Sequence, residues 1–137
     1  MIVACAVGVV APAAALASSS GAIFWTALGG HVACGVAIHP VNSPPMRLLC
    51  SSRVVPAPPA GGVGDPGFVF LGSSGHPKPA RLSQDSFVGT TPVALGAGTT
   101  WSIGPIDVKC RITASAVRCT NGSHHGFTLT KTSYTPF

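Results

Sequence analysis

Charged side chains are scarce in this chain of 137 residues, where they make up 8% of the sequence, against about 25% in an ordinary soluble domain. Glutamate is absent, and the only acids are Asp65, Asp85 and Asp107. So few carboxylates leave little from which to assemble the paired acids of a glycosidase or other acid–base sites. The solvent-facing surface must therefore be built mainly from Ser, Thr, Gly, Pro and Asn.

The sequence also lacks a run of adjacent basic residues. Its eight Lys and Arg give a formal net charge of +5, but they are scattered between Arg47 and Lys131. Nucleic acid is not expected as a partner, because proteins that bind it cluster their basic residues. A small positive excess still favours weak attraction to an acidic surface.

Helical sequence is missing as well. After Ser18, every window of a dozen residues either lacks apolar residues at helical spacing or contains Gly or Pro. The chain contains 17 Gly and 13 Pro, which break helices and favour short strands joined by turns. We therefore predict an all-β fold.

The first seventeen residues carry no charge and are almost entirely apolar. They end in Ala-Leu-Ala, a small-x-small pattern typical of a secretory signal peptide cleaved near Ala17. The alternative is a retained membrane anchor, but the run contains Pro12 and is shorter than the ~20 residues that a spanning helix needs. We predict a signal peptide over 1–17 and a single secreted β domain over 18–137, without a transmembrane segment in the mature chain.

Four cysteines remain once Cys5 is removed with the predicted signal. They are Cys34, Cys50, Cys110 and Cys119. In an exported chain, an even set suggests two disulfides, for which three pairings are possible. Such cysteines more often staple strands than act as nucleophiles.

Strand geometry favours one pairing. If Ala114-Ser115 is the turn of a hairpin, Cys110 faces Cys119 at the ~4.5 Å Cα separation of a non-hydrogen-bonded pair, which a disulfide can span. Cys34 and Cys50 have a similar setting around a proline-containing loop. We predict the bonds Cys34–Cys50 and Cys110–Cys119.

The segments 24–87 and 101–137 resemble each other. Trp25 and Trp101 each stand nine residues before the first cysteine of their segment. Further matches follow in the same order, with Gly67–Phe70 against Gly126–Leu129 and Leu82–Phe87 against Leu129–Tyr134. These matches predict an internal duplication.

Each half is predicted to be a three-stranded, disulfide-stapled antiparallel meander with one apolar face. Two such faces must be buried against each other, which predicts a compact antiparallel sandwich or partly open barrel. Trp25, Trp101, Phe68, Phe70 and Phe127 are the expected large core residues.

His124 and His125 are the most evident candidates for chemistry. Neighbouring residues on a strand point to opposite faces, and zinc sites need wider His spacing and reduced Cys partners. We therefore predict a turn that ends at Gly126, with no metal ion and no other cofactor. Asn121-Gly122-Ser123 is a glycosylation sequon, but it is also a good turn sequence.

No catalytic residue is predicted, because no Gly-x-Ser-x-Gly elbow is present and no helix is available to carry one. The rival interpretation is a small hydrolase or metal-dependent enzyme that uses His124 or His125 with an aspartate. Hydrogen-bond contact between either imidazole and Asp65, Asp85 or Asp107 in a cleft would favour it.

Two surfaces are candidate binding loops. One combines the Pro40–Pro45 loop, which contains Asn42, with the proline-rich segment 56–62, which contains Pro58. A partner could bind that segment as polyproline II, although such stretches are more often stiff surface loops. The other surface is the turn from Asn121 to Gly126, with His124 and His125 at its tip.

The C-terminal block VRCTNGSHHGFTLTKTSY, with GGHVACG and LSQDSF before it, resembles small secreted actinobacterial proteins of mycobacterial type. These proteins share a four-cysteine domain of unknown function. The positions that carry the resemblance are Val117, Cys119, Asn121, His125, Gly126, Phe127 and Tyr134. The resemblance implies export but brings no activity with it.

These observations together predict an exported, non-enzymatic binding or structural module that acts outside the cytoplasm or at the cell envelope. Its partner is unknown, and an envelope protein, an extracellular protein or an acidic surface would suit it. Besides the enzyme, the remaining alternative is an inhibitor that presents a rigid disulfide-flanked loop to a secreted enzyme.

Overall fold

The computed structural model describes residues 19–37, 46–56, 65–82 and 91–137. The predicted signal peptide, Asn42, Pro58 and residues 83–87 of the LSQDSF stretch lie outside the described residues. Within the described residues, the chain forms short strands and one 3₁₀ turn at Leu28–Gly30. No helix there is long and apolar enough to cross a membrane.

The strands fall into two successive sets of six. The first set is β1 (Ser19–Ser20), β2 (Phe24–Ala27), β3 (Val32–Ala37), β4 (Arg47–Ser51), β5 (Asp65–Leu71) and β6 (Lys78–Leu82). The second set is β7 (Val93–Ala94), β8 (Thr100–Ile103), β9 (Ile106–Ile112), β10 (Ala116–Asn121), β11 (Gly126–Thr130) and β12 (Tyr134–Pro136).

Two six-stranded sheets pack face to face as a sandwich, which confirms the all-β prediction and excludes a closed barrel. The first sheet has the order β6-β5-β4-β3-β2-β7, and the second has the order β1-β8-β9-β10-β11-β12. Each therefore contains an antiparallel meander of five strands, two more than the sequence predicted.

The leading strand of each set crosses to the other sheet. β1 pairs in parallel with β8, and β7 pairs in parallel with β2. These two short strands make both sheets mixed rather than purely antiparallel. The two halves share one topology, as a duplication over 24–87 and 101–137 requires, while the duplication itself stays a prediction.

One row of inward-facing side chains crosses each sheet. In the first sheet Trp25 faces Cys34, which faces Cys50, and Cys50 faces Val69. In the second sheet the matching row is Trp101, Cys110, Cys119 and Phe127. All eight side chains are fully buried, because alternate positions on each strand point into the sandwich.

The disulfides join Cys34 to Cys50 and Cys110 to Cys119, with Cα separations of 4.1 and 4.0 Å. Each bond links directly opposed residues of neighbouring strands, in the register that the hairpin argument predicts. Each sheet therefore carries one staple at the centre of its buried face.

Trp25 and Trp101 meet at the middle of the sandwich, with their ring centroids 5.8 Å apart. The Trp101 Nε1–H donates a hydrogen bond to the Ala22 carbonyl at 2.6 Å. The buried Trp25 Nε1–H has no hydrogen-bond partner among the described residues. The two halves are thus similar in topology but not in every contact.

The prediction that Phe68 and Phe70 are core residues is wrong. Cys50 pairs with Val69, so Val69 points inward and both phenylalanines lie half-buried on the outer face. The Arg47 guanidinium covers the Phe70 ring at 4.5 Å. A shift of one residue exchanges the two faces of a strand, and the sequence match of the Gly-Phe stretches was displaced by one residue.

The register also corrects the match of Leu82–Phe87 with Leu129–Tyr134. Phe127 and Val69 are the matching inward-facing residues of the two halves. Leu129 lies two residues after Phe127 in β11, and Leu71 lies two residues after Val69 in β5. Leu82 lies in the next strand, β6. Leu71, rather than Leu82, is therefore the structural counterpart of Leu129.

Candidate functional site

Asn121 joins the two sheets at one end of the sandwich. Its side chain is 5% exposed, and its Nδ2 donates to the carbonyls of Gly72 at 3.1 Å and Gly75 at 2.7 Å. Its Oδ1 accepts the backbone N–H groups of Ser123 and His125, both at 3.1 Å. Because the amide is buried and bonded on both sides, Asn121 acts as an internal link between the β10–β11 turn and the β5–β6 loop.

The two predicted histidines take different positions on that turn. The His125 imidazole lies against the His76 imidazole of the β5–β6 loop, with ring centroids 3.7 Å apart. His124 is exposed and has a left-handed backbone with φ of 65°. The turn therefore packs one imidazole against the other sheet and directs the other towards solvent.

The contacts of these histidines bear on the enzyme interpretation. Asp107 lies beside the same turn, because its carbonyl accepts the Gly122 N–H at 3.1 Å. Within the described segments, no hydrogen bond or ion pair joins His124 or His125 to Asp107. The described residues contain no group of three or more His, Cys, Asp or Glu that could hold a metal ion. Asp85 lies outside them.

A groove of about 570 Å³ lies at another place where the two sheets meet. It is lined by Gly29–His31 from the β2–β3 turn, Ser51–Arg53 at the end of β4, and Lys131 from the β11–β12 turn. We call this feature the basic groove, because Arg53, Lys131 and His31 are exposed around it. None of its described lining residues is acidic.

The basic groove and the Asn121 link occupy matching places in the two halves. Ser52 and Asn121 each stand two residues after the second cysteine, and both are buried, at 7% and 5% exposure. The Ser52 N–H donates to the Gly67 carbonyl at 2.8 Å, and the Asn121 N–H donates to the His125 carbonyl at 2.9 Å. Gly67 stands two residues before Val69, the strand partner of Cys50, and His125 stands two residues before Phe127, the strand partner of Cys119.

One difference between the two places is the length of the side chain at this position. The Asn121 amide reaches the β5–β6 loop of the opposite sheet. The shorter Ser52 hydroxyl makes no hydrogen bond with the described residues of the opposite sheet. The Asn121 side chain closes one end of the sandwich, whereas the matching end remains open as the basic groove.

The wall of the basic groove includes a left-handed turn. Leu28, Gly29 and Gly30 have φ values of 53°, 67° and 86°, a region that favours glycine. Leu28 adopts it while buried in the core. Space is open where a Cβ would stand at Gly29 and Gly30, so a ligand can approach this backbone closely.

The sequence did not single out the residues of the basic groove. His31, Arg53 and Lys131 are separated by 22 and 78 positions, and no motif connects them. The Gly-Gly pair before His31 was the one local signal of an unusual turn. Of the predicted site residues, Asn121, His124 and His125 lie together on the β10–β11 turn, whereas Asn42 and Pro58 lie outside the described residues.

Comparison with protein-family models, with curated proteins and with solved structures finds no match to this chain.

Proposed function

We propose that this protein is an exported binding module that acts outside the cytoplasm. The observation that supports this most is the pair of fully buried disulfides, one at the centre of each sheet. Cytosolic reductants keep thiols reduced, whereas exported proteins form and retain disulfides. Bonds at the centre of both sheets suit a chain that folds after export.

Binding is favoured over catalysis by the positions of the histidines. The His125 ring packs against His76, and His124 extends into solvent. In a triad-type site, a carboxylate hydrogen-bonded to the imidazole orients it as the general base, and within the described residues neither histidine is hydrogen-bonded to Asp107. The basic groove instead offers a concave surface of exposed polar and charged groups, which suits recognition of a ligand.

Two finer proposals accompany this function. Residues 1–17 act as a cleaved signal peptide, and the chain belongs to the secreted four-cysteine family that its C-terminal block resembles. The roles of that block in the fold support the second proposal: Val117 and Phe127 are core residues, Cys119 forms a disulfide, and Asn121 links the sheets. These roles explain why such a block would recur in proteins of one fold.

Export is tested by expressing the full chain in a bacterial host with a general secretion pathway. We expect the mature chain in the exported fraction, with an N-terminus near Ser18 and no thiol that reacts before reduction. Mass spectrometry of the intact protein measures both properties. A matched variant that lacks residues 2–17 should stay in the cytosol. Recovery of the full chain from the cytosol with all five cysteines as free thiols would contradict the proposal.

A further inference from the structure

The cations of the basic groove come from both sheets. Arg53 follows β4 of the first sheet, and Lys131 follows β11 of the second. The fold brings these side chains to one cavity with His31, although like charges repel when they approach. A concave surface lined by one sign of charge concentrates its field and attracts ions of the opposite sign.

The polar groups of the groove complement this charge. A guanidinium can bind two oxygens of a phosphate or sulfate at once, and an ammonium acts as a point charge on the same group. Ser51 and Ser52 add hydroxyl groups, and the open backbone at Gly29 and Gly30 allows close approach. These are the donors that a tetrahedral oxyanion requires.

The matching end of the molecule shows what closes such a gap. There, the Asn121 side chain crosses to the opposite sheet, and the rings of His125 and His76 pack over the joint. The basic groove has Ser52 at the position of Asn121, so it remains open. Its volume of about 570 Å³ lies within the range of roughly 300–1,000 Å³ typical of small-molecule sites.

We propose that the basic groove binds small molecules that carry a phosphate or sulfate group, with Arg53 and Lys131 as the principal contacts. This inference names a ligand class for the proposed binding function, on which it rests, but it does not depend on export. The oxyanion would lie between the two cations, and the remainder of the ligand would occupy the space along Gly29–His31. A neutral ligand would leave both cations without a counter-charge.

The test uses the disulfide-bonded protein and two probes, inorganic phosphate and inorganic sulfate, at constant ionic strength. Amide chemical shifts in NMR spectra locate the binding. We expect saturable shifts at residues 29–31, 51–53 and 131. The double variant Arg53→Ala/Lys131→Ala should weaken binding at least tenfold. The control Lys109→Ala/Arg111→Ala removes the same charge from the exposed side of β9 and should weaken it less than twofold.

A variant that keeps the net charge of the protein distinguishes binding in the groove from non-specific electrostatic attraction of anions. Ser52→Asn places an amide where Asn121 stands in the other half, so it should close the groove and weaken phosphate binding at least fivefold. Equal losses in the two double variants, or shifts centred on Lys109 and Arg111, would overturn the proposal. So would undiminished binding by a folded Ser52→Asn protein in which amide shifts at residues 131–133 show that the new side chain has reached the opposite sheet. An exported protein that fails this test refutes the anion site alone and leaves the proposed export standing.

Discussion

The Asn121 side chain is the polar link on which one end of the sandwich depends. Asn121→Ala removes the donors to the Gly72 and Gly75 carbonyls and the acceptor for two backbone N–H groups. We expect it to lower the free energy of unfolding by about 2–3 kcal/mol, because buried polar groups lose their partners. Chemical denaturation monitored by tryptophan fluorescence measures the change.

Ser52→Ala is the matched control, since Ser52 holds the same position in the other half but does not bridge the sheets. Its expected cost is below about 1 kcal/mol. Equal losses for the two variants would show that the bridging amide is not what stabilises that end.

Tyr134 gives a prediction about pH. Burial raises the pKa of its hydroxyl above the ordinary value of 10.0, and this buried hydroxyl has no partner among the described residues. A raised folded-state pKa means that folding favours the neutral phenol, so its contribution is intact below pH 10 and is lost as pH rises through the folded-state pKa. Tyr134→Phe should reduce the fall in unfolding free energy above pH 10.

The Tyr134 prediction is checked by urea unfolding of both proteins at pH 8 and at several values above 10. Near pH 8 the variant should be as stable as the parent, because it removes a buried hydroxyl that lacks a hydrogen bond. A parallel decline of the two proteins at high pH would contradict the assignment to Tyr134.

The pairing of β10 with β11 depends on a glycine. A Cβ at Gly126 would overlap the carbonyl oxygen of Cys119 on the neighbouring strand. Gly126→Ala should therefore push the two strands apart and cost on the order of 1–3 kcal/mol, as overpacking does. Thermal unfolding measures the loss.

Gly104→Ala is the control for Gly126, because Gly104 is exposed in the β8–β9 turn and a Cβ there meets nothing within 4 Å. We expect its effect to stay within about 0.5 kcal/mol. A Gly126→Ala protein as stable as the control would mean that the strands accommodate the methyl group.

For the strands, the sequence predicts those features that a short local pattern of residues determines. The spacing of Cys110 and Cys119 predicted the register of β9 and β10, because one hairpin register lets both residues face each other. The position of Phe68 could not be predicted in the same way, since a shift of one residue keeps the local pattern and reverses the face. The two-residue strands β1 and β7 are too short for any periodicity to reveal.

Only the part of the candidate site that is contiguous in sequence could be predicted, because distant residues share no local pattern. Asn121, His124 and His125 are neighbours in sequence, so a single turn motif identified them. The basic groove joins the β2–β3 turn, the end of β4 and the β11–β12 turn. Its existence depends on how the two sheets pack and on the shortness of Ser52, which only the assembled sandwich reveals.

For the whole molecule, we expect the two disulfides to contribute a large share of the free energy of unfolding. Cys34→Ala/Cys50→Ala and Cys110→Ala/Cys119→Ala open rings with sequence separations of 16 and 9. We expect each pair to lower the free energy of unfolding by about 3 kcal/mol in the chain-entropy model. The two losses together would remove a large part of the roughly 5–15 kcal/mol that holds a domain folded.

Denaturant unfolding of the two double variants, alongside the parent with and without reductant, tests this expectation. The fully reduced parent should lose about as much stability as the two pairs combined. A reduced protein that unfolds at the same denaturant concentration as the oxidised one would contradict it.

The reciprocal placement of β1 and β7 has a consequence for how the chain is made. The chain is made, and by our proposal exported, from its N-terminus, so β2 has a bare edge until residues 93–94 become available to fold, and Ser19–Ser20 cannot pair before Thr100 and Trp101 follow. A premature stop before residue 93 would leave a strand edge free to recruit strands of other chains. Each half of the chain thus supplies an edge strand to the sheet of the other half, so neither half on its own would form a complete six-stranded sheet.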